Sequence, residues 1–227
     1  MTEQVKVGVV GRDGRMGRAA REWIEAAPNL ALVASVGRGD GWAELEEAEV
    51  CLDVTCAGLG AEHGRRILEM GSRPVVGTSG VSPAEVASLH DLALSLGLGG
   101  AVVPNFSVGM LALSLAAKAA KGMLPSGGIV EAHHPEKVDA PSGTAILLAS
   151  ELDLELEGVT SLRMAGLTAI HEVHFWGGQD SITMRHESRG LGGFKDGLLA
   201  SVSYASEASG VAYGLAEVMG ETCKLQS

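Results

Sequence analysis

The chain has 227 residues, 46% of them apolar, which is enough to bury a core in one large domain or two small ones and excludes a disordered chain. Its formal net charge of −11 excludes a general attraction to phosphate backbones, so nucleic acid is not an expected partner. No apolar run approaches the length of a membrane span, and the opening MTEQVKVGVV lacks a basic segment followed by a long apolar one, so neither a membrane nor a signal peptide is expected.

In chain order, VKVGVVG (5–11) reads as a buried strand that breaks at glycine. RAAREWIEAA (18–27) follows as a helix with Ala19, Trp23 and Ala27 on one stripe. LALVASV (30–36) and VCLDVT (50–55) are two further strands, and AEHGRRILEMG (61–71) is a helix closed by Gly71. PVVGTSG (74–80) is a short strand running into a glycine-rich loop. SPAEVASLHDLALSLG (82–97) opens a helix with Ser82 as N-cap and Pro83 in the first turn. GAVVPNFS (100–107) is a strand and turn. Strands alternating with helices predict βαβ units and a parallel sheet.

The pattern then changes. SVGMLALSLAAKAAKGML (107–124) is a long helix of small residues suited to packing, GIVEAHH (128–134) a strand, and APSGTAILLASEL (140–152) a helix. AIHEVHFW (169–176) and DSITMRHES (180–188) are strands joined at Gly177-Gly178 as a hairpin. GGFKDGLLASVSYAS (192–206) and GVAYGLAEVMG (210–220) are expected to end the chain as helices. The predicted fold is α/β: a Rossmann-like dinucleotide-binding domain, 1–106 with 192–227, plus an α+β domain with its own mixed sheet, 107–191. Cys51, Cys56 and Cys223 are odd in number and lack metal-type pair spacing. They read as free thiols in a reducing cytosol, Cys51 and Cys56 as buried small hydrophobes, and no metal is expected. His171 and His174 lie three apart on a strand and so on opposite faces, which gives them a structural role.

Between the first strand and first helix stands GRDGRMG, with Gly11, Gly14 and Gly17 three apart. Glycines there let the backbone approach a pyrophosphate, and the helix N-terminus offers free N–H groups to it, so this is a variant dinucleotide-binding turn. The usual acid after the second strand, which binds the ribose hydroxyls, is replaced by Gly37 and followed by Arg38. An arginine there suits a 2′-phosphate, with Arg12 and Arg15 as helpers from a cluster that includes Arg18 and Arg21, and this favours NADPH over NADH. Alternatively Asp40 takes the acid's role and NADH is used as well.

EAHHPEKVDAPSGTA (131–145) concentrates the remaining chemistry. His133 and His134 are adjacent, so in extended chain they point to opposite sides. A histidine can give a proton near neutrality, and Lys137 adds a positive charge or a second proton. With Pro141 in the first helical position, Ser142, Gly143 and Thr144 form a helix N-terminus of a size for a carboxylate. Together they suit a small dianion that gains a proton.

These stretches resemble the 4-hydroxy-tetrahydrodipicolinate reductase (dihydrodipicolinate reductase) family over nearly the whole chain. The histidine pair, lysine and Ser-Gly-Thr strip carries most of the likeness; GRDGRMG, VVGTSG (75–80) and VPNFSVG (103–109) follow the family's cofactor-side motifs in the same order. The resemblance implies hydride transfer from NAD(P)H to a cyclic imine dicarboxylate in lysine and diaminopimelate biosynthesis. It implies His133 as proton donor, Lys137 as a second one, and His134, Ser142, Gly143 and Thr144 on the substrate carboxylates. Gly11, Arg12, Gly14, Arg15, Met16, Gly17 and Arg38 would hold the nucleotide. Gly77, Thr78 and Ser79, with Val103, Pro104, Asn105 and Phe106, would line its nicotinamide side. A homotetramer built by pairing the C-terminal sheets is also implied. The chain departs from the family in a shorter 153–168 segment. It also departs at Leu191, which stands where an arginine is usual, with Arg189 about two positions early. A nucleotide-binding regulator without turnover would need the glycines but not His133 or Lys137, and a related imine or aldehyde reductase would share all of them.

Overall fold

The computed structural model describes residues 4–220. Cys223, expected as a free thiol, lies outside them. Among the described residues no helix is long and apolar enough to cross a membrane. The chain divides into two compact units, one holding the residues up to Phe106 and from Phe194 onward, the other Ser107–Gly193.

The first unit opens with β1 (Val5–Val10), α1 (Arg15–Ala26), β2 (Leu30–Val36), β3 (Val50–Asp53), α2 (Gly60–Glu69), β4 (Arg73–Val76), α3 (Pro83–Leu96) and β5 (Gly99–Val102). Its strands pair in parallel. Val7, Val9, Leu52 and Val75 are fully buried, as expected for a sheet covered on both faces. Helix α1 buries Gly17, Ala20 and Ile24, one position off the expected stripe of Ala19, Trp23 and Ala27, which is half-buried at its flank. Helix α3 starts as its sequence predicts: Ser82 Oγ accepts from the Glu85 N–H, the Glu85 carboxylate accepts from the Ser82 N–H, and Gly97 ends the helix in the left-handed region.

The second unit comprises α4 (Val108–Lys121), β6 (Ser126–His133), α5 (Gly143–Glu151), β7 (Val159–Arg163), β8 (Ala169–Gly177) and β9 (Asp180–Ser188). Its sheet runs β7-β6-β8-β9, parallel at the first pair and antiparallel at the other two, so it is mixed as expected. Strand β7 falls in the segment read as a shortened loop; it is an edge strand of only five residues, mostly half-exposed. The inner face carries Ile129, Val173 and Phe175, which pack with Met110 and Leu113 of α4 and Ala145 and Leu148 of α5. Further along the same face Glu131, His133 and His171 replace the apolar residues. Pro141 precedes the helix instead of opening it: Ser142 is the N-cap, so Gly143 takes the first helical position.

The chain then returns to the first unit with α6 (Lys195–Glu207), β10 (Gly210–Tyr213) and α7 (Leu215–Met219). Residues 210–213 were expected in a helix, but they pair in parallel with β5 and complete a six-stranded sheet ordered β10-β5-β4-β3-β1-β2. Gly210 and Gly214, at φ 74° and 84°, bracket the strand, and tertiary pairing overrides a helical-looking run. Cys51 is buried, its thiol pushed up to about 12 by burial, whereas Cys56 is exposed instead of buried because it lies beyond the strand end.

Candidate active site

In the first unit the sequence builds a cleft out of missing side chains. Gly11 sits at φ 99°, where an added Cβ would lie 2.9 Å from the Val54 carbonyl oxygen. On Gly17 a Cβ would collide with the Gly11 carbonyl oxygen, and on Gly77 it would meet the Phe106 ring at 2.5 Å. Gly14 caps α1 without a side-chain hydrogen bond and no acid stands in the first turn, so the N–H groups there are left for an anion. A cavity of about 590 Å³ is lined by Gly11, Gly14, Arg38 and Asp40 on one side and Trp42 and His63 on the other. A second, of about 220 Å³, is lined by Met16, Gly77, Thr78, Ser79 and Asn105, with Pro104 and Phe106. Both are bounded by Val54 and Thr55. A glycine cradle at a helix N-terminus between two such hollows fits an extended dinucleotide.

Several expected contributors stand behind this surface. Gly17 and Val103 are buried in the scaffold. Arg12 donates to the Ser35 carbonyl at 2.9 Å and pairs through Nη2 with Asp40 Oδ2 at 2.9 Å. The same Asp40 oxygen accepts from the Gly37 N–H at 2.8 Å, so Asp40, the alternative to Arg38 at the ribose end, holds Arg12, the arginine expected to help Arg38. Arg15 opens α1 at the surface and does not line either of these two cavities. Sequence reasoning missed the floor of the cleft. Asp53, fully buried at the end of β3, accepts from Thr55 Oγ1 at 2.7 Å and Thr78 Oγ1 at 2.5 Å, and His63 Nδ1 lies 3.1 Å away. Trp42 meets His63 edge-on at 5.0 Å and carries the Arg66 guanidinium 4.1 Å above its ring.

In the second unit the strip is held from three strands. His133 is the last residue of β6, and its Nδ1 is hydrogen-bonded to Glu131, two residues earlier and therefore on the same face. Glu131 is fully buried, and Arg163 Nη1 reaches its other oxygen at 3.2 Å. Burial alone would raise the Glu131 pKa, but the hydrogen bonds and positive charge around it win and hold the carboxyl below the usual range. Burial also lowers the His133 pKa, against the pull of Glu131. His171, opposite Glu131 on β8, meets the His133 ring edge-on at 5.3 Å, and its Nε2 lies 3.4 Å from Ser142 Oγ. Burial pushes its pKa down to about 4, helped by His133.

Lys137 projects from the turn after β6, with Nζ 2.8 Å from Asp139 Oδ1. Lys137 first, and the Gly143 N–H among lesser causes, lower the Asp139 pKa. The loop's own carboxylate thus marks where an anion is held. Ser142 Oγ accepts from the Ala145 N–H at 3.2 Å, and Gly143 and Thr144 follow in the first turn of α5. His134 stands apart from this group: the strand has ended, and its Nδ1 lies 3.9 Å from Glu136. Among the described residues no cluster of three or more His, Cys, Asp or Glu could hold a metal ion.

Known proteins resemble the chain over nearly its whole length. Residues 5–106 match the family model described as dihydrodipicolinate reductase, N-terminus, and residues 108–219 match its C-terminus counterpart. The chain belongs to the dihydrodipicolinate reductase family. A 4-hydroxy-tetrahydrodipicolinate reductase of Lactococcus lactis subsp. cremoris is 35% identical over 93% of this chain and 96% of its own. That of Synechococcus sp. is 32% identical over 96% of this chain and 100% of its own. The dipicolinate-bound dihydrodipicolinate reductase from Paenisporosarcina sp. superposes with a TM-score of 0.80 at 27% identity, covering 93% of this chain and 98% of that one.

Leu191 and Arg189, expected to depart from the family pattern, lie just before α6. Leu191 opens a short 3₁₀ turn, and Arg189 is largely exposed, 3.7 Å from Glu187. Arg189 borders a hollow in the second unit with His186, Ser107 and Gly109, floored by Gly190 and Gly192. Burial lowers the His186 pKa, and its Nε2 lies 3.4 Å from Ser107 Oγ.

Proposed function

We propose that this chain catalyses its family's reaction in the cytoplasm, as a 4-hydroxy-tetrahydrodipicolinate reductase using NADPH by preference and NADH as an alternative. Balanced, the reaction adds one hydride and one proton to the cyclic imine dicarboxylate and releases one water, giving tetrahydrodipicolinate. The nucleotide, when bound, supplies the hydride. Gly11, Gly14 and the first turn of α1 take its pyrophosphate, Arg38 its 2′-phosphate, and Gly77 to Ser79 with Pro104 to Phe106 its nicotinamide end. The strip in the second unit handles the substrate. His133 gives the proton, and Lys137 balances a carboxylate and offers a second proton. Ser142, Gly143 and Thr144 bind the other carboxylate at the helix N-terminus, with His134 completing the substrate contacts.

The observation that carries this reading is the pairing of His133 with a buried carboxylate beside an ammonium and a helix N-terminus, in a chain of this family. The dipicolinate bound to the Paenisporosarcina reductase is a dicarboxylate of the kind such anchors fit. Arg38, on the cavity wall just after Gly37, supports the cofactor preference. Leu162 and Trp176 stand exposed on the outer face of the second unit's sheet and support assembly into a homotetramer through it, for which a solution mass of four chains is the check.

The test is a coupled assay that makes the unstable substrate in situ from pyruvate and aspartate semialdehyde and follows NADPH and, separately, NADH oxidation. Rapid NADPH loss that falls by about 10³-fold or more in the His133→Ala, Lys137→Ala double variant is expected. No oxidation of either nucleotide while both still bind would sink the reading and favour a nucleotide-binding regulator.

A further inference from the structure

Two buried or half-buried residues outside the proposed substrate contacts tie the two proton-bearing side chains of the strip together. Glu131 takes the Nδ1 hydrogen of His133 on one oxygen and an Arg163 Nη1 hydrogen at 3.2 Å on the other. Arg163 stands beside His133 in the parallel register of β6 and β7. Nη1 also donates to the Leu162 carbonyl at 2.7 Å on its own strand, and two further hydrogens go to the loop that carries Lys137: Nε to the Lys137 carbonyl at 3.1 Å and Nη2 to the Asp139 carbonyl at 2.5 Å. A residue needed only to neutralise Glu131 has no call for a rigid fork on two loop carbonyls. We propose that Glu131 and Arg163 act as one positioning pair, Glu131 fixing which nitrogen of His133 exchanges the proton and Arg163 fixing the backbone from which Lys137 projects. This rests on the reading of His133 and Lys137 as the proton donors.

An ionised carboxylate only accepts, so neutral His133 keeps its hydrogen on Nδ1 and leaves Nε2 as the atom that gains and gives the reacting proton. The groups around that ring act in opposite senses. Glu131 on β6 favours the imidazolium, whereas Arg163 on β7 and Lys137 in the loop disfavour it. His171 on β8 packs against the ring, and His186 on β9 lies one strand further across. Because the imidazolium is the donor, activity falls as pH rises through its midpoint. The two members of the pair must therefore move that fall in opposite directions, which a merely structural contribution would not do.

The experiment compares the full-length protein with Glu131→Gln, Arg163→Gln and Arg163→Lys. It measures kcat/KM against pH, the KM for the dicarboxylate, and the ring ¹⁵N shifts of His133 through a pH titration. Glu131→Gln is expected to lower the alkaline midpoint by roughly one pH unit, and Arg163→Gln to raise it. Arg163→Lys keeps the charge and loses the fork, so the midpoint stays while KM rises about tenfold with a smaller change in kcat. A common midpoint in all four proteins, or a shift of the two glutamine variants in one direction, overturns the proposal. Should Glu131→Gln fail to fold, the contrast between the two Arg163 variants decides it alone. The ¹⁵N titration needs no turnover, so an inactive parent protein would sink the proposed reaction while the His133 midpoints still judge the pair.

Discussion

The two units make their sites from opposite materials. In the first, the cleft exists because Gly11, Gly17 and Gly77 carry no side chain, and its anion site is backbone at the start of α1. In the second, the site is a chain of ionisable side chains, Arg163, Glu131, His133 and His171, most of them buried and each in contact with the next. A backbone site is intolerant of volume and indifferent to pH, whereas a side-chain site depends on protonation. The difference separates what substitution and pH should do to each unit.

Volume is the sharpest probe of the first unit. Gly17→Ala puts a methyl group into the Gly11 carbonyl, and backbone cannot yield as the tip of a side chain does. Nucleotide affinity is expected to fall about a hundredfold, ~3 kcal/mol, in a titration of protein fluorescence with NADPH. Gly41→Ala is the control, since a Cβ there meets nothing within 4 Å, and it should change affinity by no more than about twofold. Equal losses in the two variants would break the contrast between the units.

The same difference explains what was legible in the sequence. The glycine turn was readable because tight backbone approach needs glycine at fixed local spacing, and Ser82 and Gly97 announced the ends of α3 by equally local rules. Glu131 was visible two residues before His133, but nothing local marks it as fully buried. Arg163 and His171 reach the strip only through the registers of β7 and β8, 30 and 38 residues from His133, and β7 itself was too short and polar to read as a strand. Asp53 finds Thr78 across 25 residues for the same reason. Strand β10 failed differently: its few residues favour a helix as readily as a strand, and only the open edge of β5 decides between them.

Protonation is the matching probe of the second unit, and His171 gives the largest response. Its folded pKa of about 4 lies below the value of about 6.5 for the unfolded chain, so between those pH values the unfolded state binds more protons. Its stabilisation is complete above pH ~6.5 and is lost as pH falls toward 4. His133 and His186, also lowered, act in the same sense. His171→Gln removes one of the three titrations and keeps a neutral amide of the length that reaches Ser142. Its denaturant-measured stability should therefore fall less than the parent's between pH 7 and 4.5, by about 2 kcal/mol. Parallel curves would mean that His171 is not the buried neutral ring its contacts require.

The ribose end of the first cleft is where the contrast between the units narrows, because charged side chains enter a site otherwise made of backbone. Asp40 is held by Arg12 and by the Gly37 N–H, in the same cavity as Arg38. A carboxylate there can accept ribose hydroxyls, which serves NADH, while it repels a 2′-phosphate and occupies a guanidinium that could otherwise bind one. Asp40→Asn removes the repulsion and releases Arg12, so both effects push toward NADPH. The ratio of kcat/KM for NADPH over NADH is expected to rise about fivefold, ~1 kcal/mol. Arg38→Ala should lower the same ratio by a similar factor. Both substitutions are exposed and should leave thermal stability nearly unchanged, so the ratio reads the charge at this end of the cleft and not the glycine scaffold beneath it.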